Sequence, residues 1–265
     1  MKIEHPKKYA HDDLDGEFLW KYLDLFKLLD LIVSQKLYFT RFDHFEDGLE
    51  GLTGKAISLM AFTQVRPLTM DTINKSFDEK TQKRHVKNDQ NRRKELEEII
   101  NKSQQTQFAS CWFLDDRESL AMWKLYSKKE GVALKLKAKE LVETLIASAK
   151  SFTNSDFQIL YYGVVDYKNI WPFDMHEHYE GKFNGLKKDR SYSHENEYRF
   201  VAVVPSAQQD IYQSFKLPIG ELKDFNVEII TNPFMESWQF ESLKNLLNNY
   251  GLDNKLTTSK MKIKK

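Results

Sequence analysis

The segment Ser193-His194-Glu195-Asn196-Glu197-Tyr198-Arg199-Phe200-Val201 sets two carboxylates and a guanidinium at alternate positions. In an extended strand alternate residues share a face, so Glu195, Glu197 and Arg199 form a row that continues into Val201 and Val203. The opposite face, Tyr198, Phe200, Ala202 and Val204, is apolar as well. The strand therefore reads as central, and its charged start as the border of a cleft. Carboxylates about 7 Å apart along one strand face suit general acid–base work or a grip on sugar hydroxyls, with the arginine holding at least one ionised. The same row also reads as an ion-pair ladder at a sheet margin with no chemical task.

Two further constellations carry candidate groups. Leu37, Phe39 and Arg41 share one face of a predicted strand, which would let Arg41 emerge at the end of a buried row and hold phosphate or carboxylate bidentately. Asp43, His44, Glu46, Asp47 and Glu50 follow it, but without the spacing of a calcium loop, and no metal is expected. Phe108-Ala109-Ser110-Cys111-Trp112-Phe113 reads as a buried strand, followed by a helix on which Met122 and Tyr126 share a face and Trp123 lies three before Tyr126. Such an aromatic wall either packs a core or stacks a nicotinamide, nucleobase or sugar. Cys111, among apolar neighbours with no histidine placed to activate it, is a poor nucleophile. The three constellations are expected to converge on one pocket.

The elements that must position these groups predict an α+β fold over 1–265, a single domain with a mixed central sheet flanked by helices. Apolar residues from Phe18 to Val33 recur at three- and four-residue steps and predict an amphipathic helix. Residues 70–107 are dominated by charged and amide side chains and predict an exposed helical insertion whose KRHVKNDQNRRK run reads as a solvated face. A helix over 118–126 capped by Asp115 or Asp116, a strand 132–136, a helix 138–149, a strand within 158–167, a helix around 173–183 and a strand 198–204 follow. The end predicts a β-α-β unit: strand 227–230, a helix entered through Asn232-Pro233 with Phe240, Leu243 and Leu247 in its stripe, a strand over 256–263, and a flexible tail 260–265. With 40 basic and 39 acidic residues the net charge is +1, too small for a global field that would hold nucleic acid or an anionic membrane. The single cysteine excludes an internal disulfide and, with no apolar leader or span, points to the cytoplasm and to no membrane partner.

Taken together, KLYFTRFDHFEDGLEG, FASCWF with ESLAMWKLYSKKEGVALKLK, SYSHENEYRFV and VEIITNPFMESWQFESLKNLLNNYGL resemble a widespread bacterial family catalogued as a domain of unknown function, with FxxFxDxxEG, MWxxY and ExExR motifs. The match covers most of the chain. Asp47-Gly48-Leu49-Glu50-Gly51 lacks the proline of the family loop, and the charged insertion is an addition. The order Arg41, Ser110, Glu195-x-Glu197 also resembles the Arg…Ser…Glu-x-Glu plan of ADP-ribosyltransferases, without their Ser-Thr-Ser triplet. That resemblance implies that Arg41 grips NAD and Ser110 supports the site. It gives Glu197 the nicotinamide ribose and an oxocarbenium-like transition state to stabilise, and Glu195 the acceptor to orient. Arg199, Trp123 and Tyr126 complete the expected substrate contacts. The expectation is an NAD-using transferase or glycohydrolase-like enzyme, a toxin or phage-defence effector, with a small nucleotide substrate and a protein or nucleic-acid acceptor. Two alternatives stay open: a metal-dependent nuclease or hydrolase built on Asp47, Glu50, Glu195 and Glu197, and a non-enzymatic ligand-sensing or protein-binding domain.

Overall fold

The computed structural model describes residues 1–7, 14–60, 77–154, 156–170, 183–205 and 211–263. Its frame is a mixed sheet of ten strands: β1 (Lys2–Glu4), β2 (Phe18–Leu23), β3 (Lys36–Arg41), β4 (Gln107–Leu114), β5 (Val132–Lys137), β6 (Ile159–Val164), β9 (Glu197–Val203), β10 (Ser214–Pro218), β11 (Glu228–Thr231) and β12 (Leu256–Thr258). The path runs β1-β6-β9-β4-β2-β5-β11-β12. At β4 it forks, because β3 pairs with one end of β4 at Phe108 and Ala109 while β2 pairs with the other at Phe113 and Leu114; β10 extends the β3 branch. Pairing is antiparallel except for β1 with β6 and β11 with β12. A separate parallel pair joins β7 (Asp166–Lys168) to β8 (Lys187–Asp189). The architecture is α+β, and no helix among the described residues is long and apolar enough to cross a membrane.

The main core lies on one face. Phe108, Trp112, Tyr198, Phe200 and Ala202 point there and meet Leu28 and Leu31 of the helix Leu25–Ser34, Leu141 and Leu145 of the helix Ala138–Ser151, and Leu243 and Leu247 of the helix Ser237–Asn248. The opposite face carries two smaller apolar clusters. One joins Trp20, Tyr22 and Phe113 to Met122 and Trp123 of the helix Leu120–Tyr126; the other joins Phe42, Ala109, Tyr161, Leu186 and Val201. The gap between these clusters becomes the site.

Several sequence expectations shift. Phe18–Leu23 is a central strand, not the start of a helix: Asp24 caps the following helix by accepting from the Lys27 amide, and the helical period of the apolar residues had run backwards across that cap. The helix near 118 starts at Leu120 with Ser119 as its cap, while Asp115 closes a turn at Arg117. The last helix starts at Ser237, four residues after Pro233, under a capping box of Glu236 and Gln239. Its β-α-β setting stands, but the final strand ends at Thr258, where Glu118 takes the Ser259 hydroxyl and the Lys260 amide and so tethers the start of the expected tail. The charged insertion is the 27-residue helix Glu79–Gln105. The remainder of the expected insertion at 70–76, all but Phe183 of the expected helix at 173–183, and residues 264–265 lie outside the described residues.

Candidate functional site

Glu197 and Arg199 sit at the start of β9 and face the gap between the two smaller clusters. Their cross-strand neighbours explain why a guanidinium fits there: Arg199 stands between Cys111 of β4 and Gly163 of β6, both too small to fill the space. Arg199 is fully buried, and all three of its nitrogens make hydrogen bonds. Nε and Nη2 donate to the two oxygens of Glu197, each at 2.7 Å; Nη1 donates to the Gly185 carbonyl at 3.1 Å and lies 2.6 Å from Glu50 Oε2. The stacked rings of Phe42 and Phe45 cover its carbon, 5.9 and 5.7 Å away. Gly185 is required for this approach, because a Cβ there would come within 2.7 Å of the Tyr161 hydroxyl and 2.9 Å of Phe42.

Glu50 reaches the gap from the loop after β3. Gln104, at the end of the long helix, donates to the Gly48 and Glu50 carbonyls, and Gln107, the first residue of β4, donates to that of Gly51. Tyr161 fixes Gln107 by donating to its oxygen at 2.7 Å. These buried amides saturate loop carbonyls that would otherwise cost free energy away from water. They place the Glu50 carboxylate, 1% exposed, between Arg199 and a lysine.

That lysine is Lys188 of β8. Its ammonium lies 3.0 Å from Glu50 Oε1 and 3.0 Å from Glu197 Oε1 and donates to Glu195 Oε2. Three carboxylates thus converge on one cation. Glu195 differs from its sequence reading. It ends a 3-10 turn, Arg190–Glu195, and Asn196 in the left-handed region (φ 38°) breaks the row, so the strand begins only at Glu197. The bend folds the Glu195 carboxyl back against Glu197 instead of spacing it one strand step away. Tyr126, half exposed on its helix, donates to Glu195 Oε1 at 2.7 Å. Tyr126 is thus the half-exposed end of the contact chain, while the Glu195 carboxyl beneath it is buried.

Charge counting orders the protonation. Glu50, Glu195 and Glu197 against Lys188 and Arg199 leave one negative charge in excess, which burial penalises. Burial, then the hydrogen bond and repulsion from Glu197, push the Glu195 carboxyl up to about 7. Burial alone would raise Glu197 too, but Arg199 and then Lys188 hold it well below the usual carboxylate range. Burial opposes both cations, yet Glu197 and Glu50 keep Arg199 and Lys188 above their ordinary values. Near neutral pH the pair shares one proton, carried by Glu195 because Arg199 holds Glu197 ionised. Burial and then the charge of Glu197 raise the Cys111 thiol, which agrees with its reading as a non-nucleophile.

The three constellations do converge, with exceptions. Glu50, Tyr126, Glu195, Glu197 and Arg199 meet; Arg41 and Ser110 do not. Arg41 pairs with Phe108, and Ser110 with Phe200, so both share the main-core face and lie across the sheet from Glu197. Arg41 is clamped by both oxygens of Asp43 and by the Tyr212 carbonyl, and Ser110 accepts from Lys21 and Trp112. Trp123 is no stacking wall: it is buried, lies edge-on to Tyr22, and donates to Glu118. Arg199, fully buried, holds the Glu197 and Glu50 carboxylates instead of facing a substrate. Lys188, Gln104 and Gln107 were missed. Nothing in Lys187-Lys188 or in the amide-rich end of the charged run distinguishes a buried side chain from a solvated one. No family model, no curated protein and no solved structure matches the chain. The site offers a buried carboxyl pair in which burial favours a proton on Glu195 and Arg199 keeps Glu197 ionised, with the half-exposed Tyr126 hydroxyl against it.

Proposed function

We propose that the protein cleaves an N-glycosidic bond, with NAD as the substrate, and passes the ribosyl group to water or to an acceptor hydroxyl. The observation that carries this reading is the Glu195–Glu197 pair, one member held ionised by Arg199 and Lys188, the other bearing a proton that leaves near neutral pH. The bond from the anomeric carbon to the nicotinamide nitrogen breaks with its electrons going to the ring, which departs neutral. The buried charge of Glu197 stabilises the oxocarbenium-like ribosyl cation. Ionised Glu195 takes the proton of the attacking hydroxyl as the new C–O bond forms, and Tyr126 orients that carboxylate. A depression of about 410 Å³ is lined in part by Trp123, Lys124, Lys128, Lys129 and Phe234; its cations would take a diphosphate, though none of the three carboxylates lines it. Arg41 and Ser110 take no part, so the likeness to the ADP-ribosyltransferase plan is confined to the carboxylate pair.

The test is incubation with NAD labelled in the nicotinamide and in the adenylate, alone and with protein, RNA and DNA acceptors. Release of nicotinamide that Glu197→Gln abolishes supports the reading. No turnover with any acceptor, or turnover that survives the substitution, rejects it.

A further inference from the structure

The helix Glu79–Gln105 presents a surface that the carboxylate site does not use. At 3.6 residues per turn, Lys80, Lys83, Arg84, Lys87 and Lys94 fall within about 100° of arc, along about 21 Å of axis. All five are exposed, and no acidic residue enters that arc between Lys80 and Lys94. The helix packs through the reverse side: Ile99 and Ile100 meet the cluster of Leu52, Ala56, Ile57 and Ile170, and Ser103 and Gln104 are buried. The stripe therefore points away from the body of the protein. Residues 80–94 hold seven Lys or Arg against one Asp, while the whole chain is only +1, so the positive charge is segregated onto this arm and the remainder is net acidic.

We infer that this stripe is a docking surface for the phosphodiester backbone of a nucleic-acid duplex. Cations on a rigid rod match a row of phosphates and demand nothing of base sequence. A lipid surface fits less well, because a helix lying on a bilayer needs an apolar face turned to it, and here Leu96, Ile99 and Ile100 turn inward while the stripe itself is wholly polar. Lys83 is the one stripe residue in a close ion pair among the described residues, with Glu79 at 2.6 Å, an exposed contact that phosphate can displace. The inference stands apart from the glycosidic reading, since it concerns binding and needs no turnover.

Fluorescence anisotropy of the full chain with a labelled duplex of about 20 base pairs tests it. Five phosphate contacts predict a loss of about 500-fold in affinity between 50 and 200 mM salt. A variant carrying Lys83→Gln, Arg84→Gln, Lys87→Gln and Lys94→Gln retains one contact, so its salt response shrinks to about 3- to 4-fold and its binding at 50 mM salt falls at least about tenfold. Replacing Lys36, Lys150 and Lys244, exposed and off the stripe, with Gln should leave affinity within about twofold. The inference is overturned if the native chain ignores the duplex at 50 mM salt, if the stripe variant binds as tightly as the native chain, or if the off-stripe variant loses as much. Stripe-dependent capture by phosphatidylserine vesicles in place of the duplex also overturns it.

Discussion

Glu195→Gln should make the protein more stable at pH 8, by less at pH 5, and leave it unchanged only below the ordinary carboxylate value of 4.5. Glutamine is isosteric with the protonated carboxyl and gives Glu197 a donor; its single oxygen keeps one of the two contacts that Glu195 accepts through separate oxygens from Tyr126 and Lys188, so it approximates the protonated state that the buried cluster prefers. Below the ordinary carboxylate value of 4.5 the folded and unfolded chains both hold the Glu195 proton, and its contribution is fully present. As pH rises toward about 7 the unfolded chain gives up the proton first, so stability falls through that window and levels off above it. Glu197, depressed in the folded chain, works in the opposite sense, but its contribution is lost only on acidification below the ordinary carboxylate range, outside this window. A rise from 4.5 to about 7 sets a ceiling of about 3 kcal/mol. Relaxation of the cluster and water at the half-exposed Tyr126 hydroxyl reduce it, so about 1–2 kcal/mol is expected, or roughly 2–4 °C in melting temperature for a chain of 265 residues. Thermal melts of both proteins from pH 5 to 8 give the difference curve. Parallel curves with no divergence above pH 5 would refute the shared proton.

Three other outcomes follow from the same geometry. Lys188→Ala leaves three buried carboxylates facing Arg199 alone and should cost about 3–5 kcal/mol by denaturant titration, with millimolar calcium or manganese restoring part of the loss by entering the vacated position. Arg41→Ala should lower the melting temperature by breaking its clamp to Asp43 and the Tyr212 carbonyl, yet leave kcat for nicotinamide release within about threefold at a temperature where the variant is folded, because the side chain lies across the sheet. Nicotinamide release itself should rise with pH to a plateau through an inflection near 7, as Glu195 becomes a base, and the inflection should vanish in Glu195→Gln.

The period-two pattern of Tyr198 to Val204 was legible because both faces are apolar, and the convergence of the Glu50 loop, Tyr126 and the Glu-x-Glu-x-Arg segment was legible from residue types. The conformation of Asn196 was not. One residue in the left-handed region changes Glu195 from a member of a strand row into a partner folded onto Glu197, and the sequence carries no period that reports it. Arg41 was placed on a buried face correctly, but a face assignment made strand by strand cannot say which side of the shared sheet it becomes. That depended on its register with Phe108, a long-range pairing. Lys188, Gln104 and Gln107 were hidden for a thermodynamic reason: polar side chains are buried only where partners from distant segments saturate them, and those partners come from β9, the Glu50 loop and β6.

The account turns on one proton shared by two carboxyls. Carbon-13 spectra of the glutamate side-chain carboxyls, assigned with the Glu195→Gln and Glu197→Gln variants, follow it directly. One carboxyl of the pair titrating near 7 while its neighbour stays ionised to well below the ordinary carboxylate range is the expected result. Both titrating together near the ordinary carboxylate value would show two independent, solvated groups, and the acid–base reading of the site would be wrong.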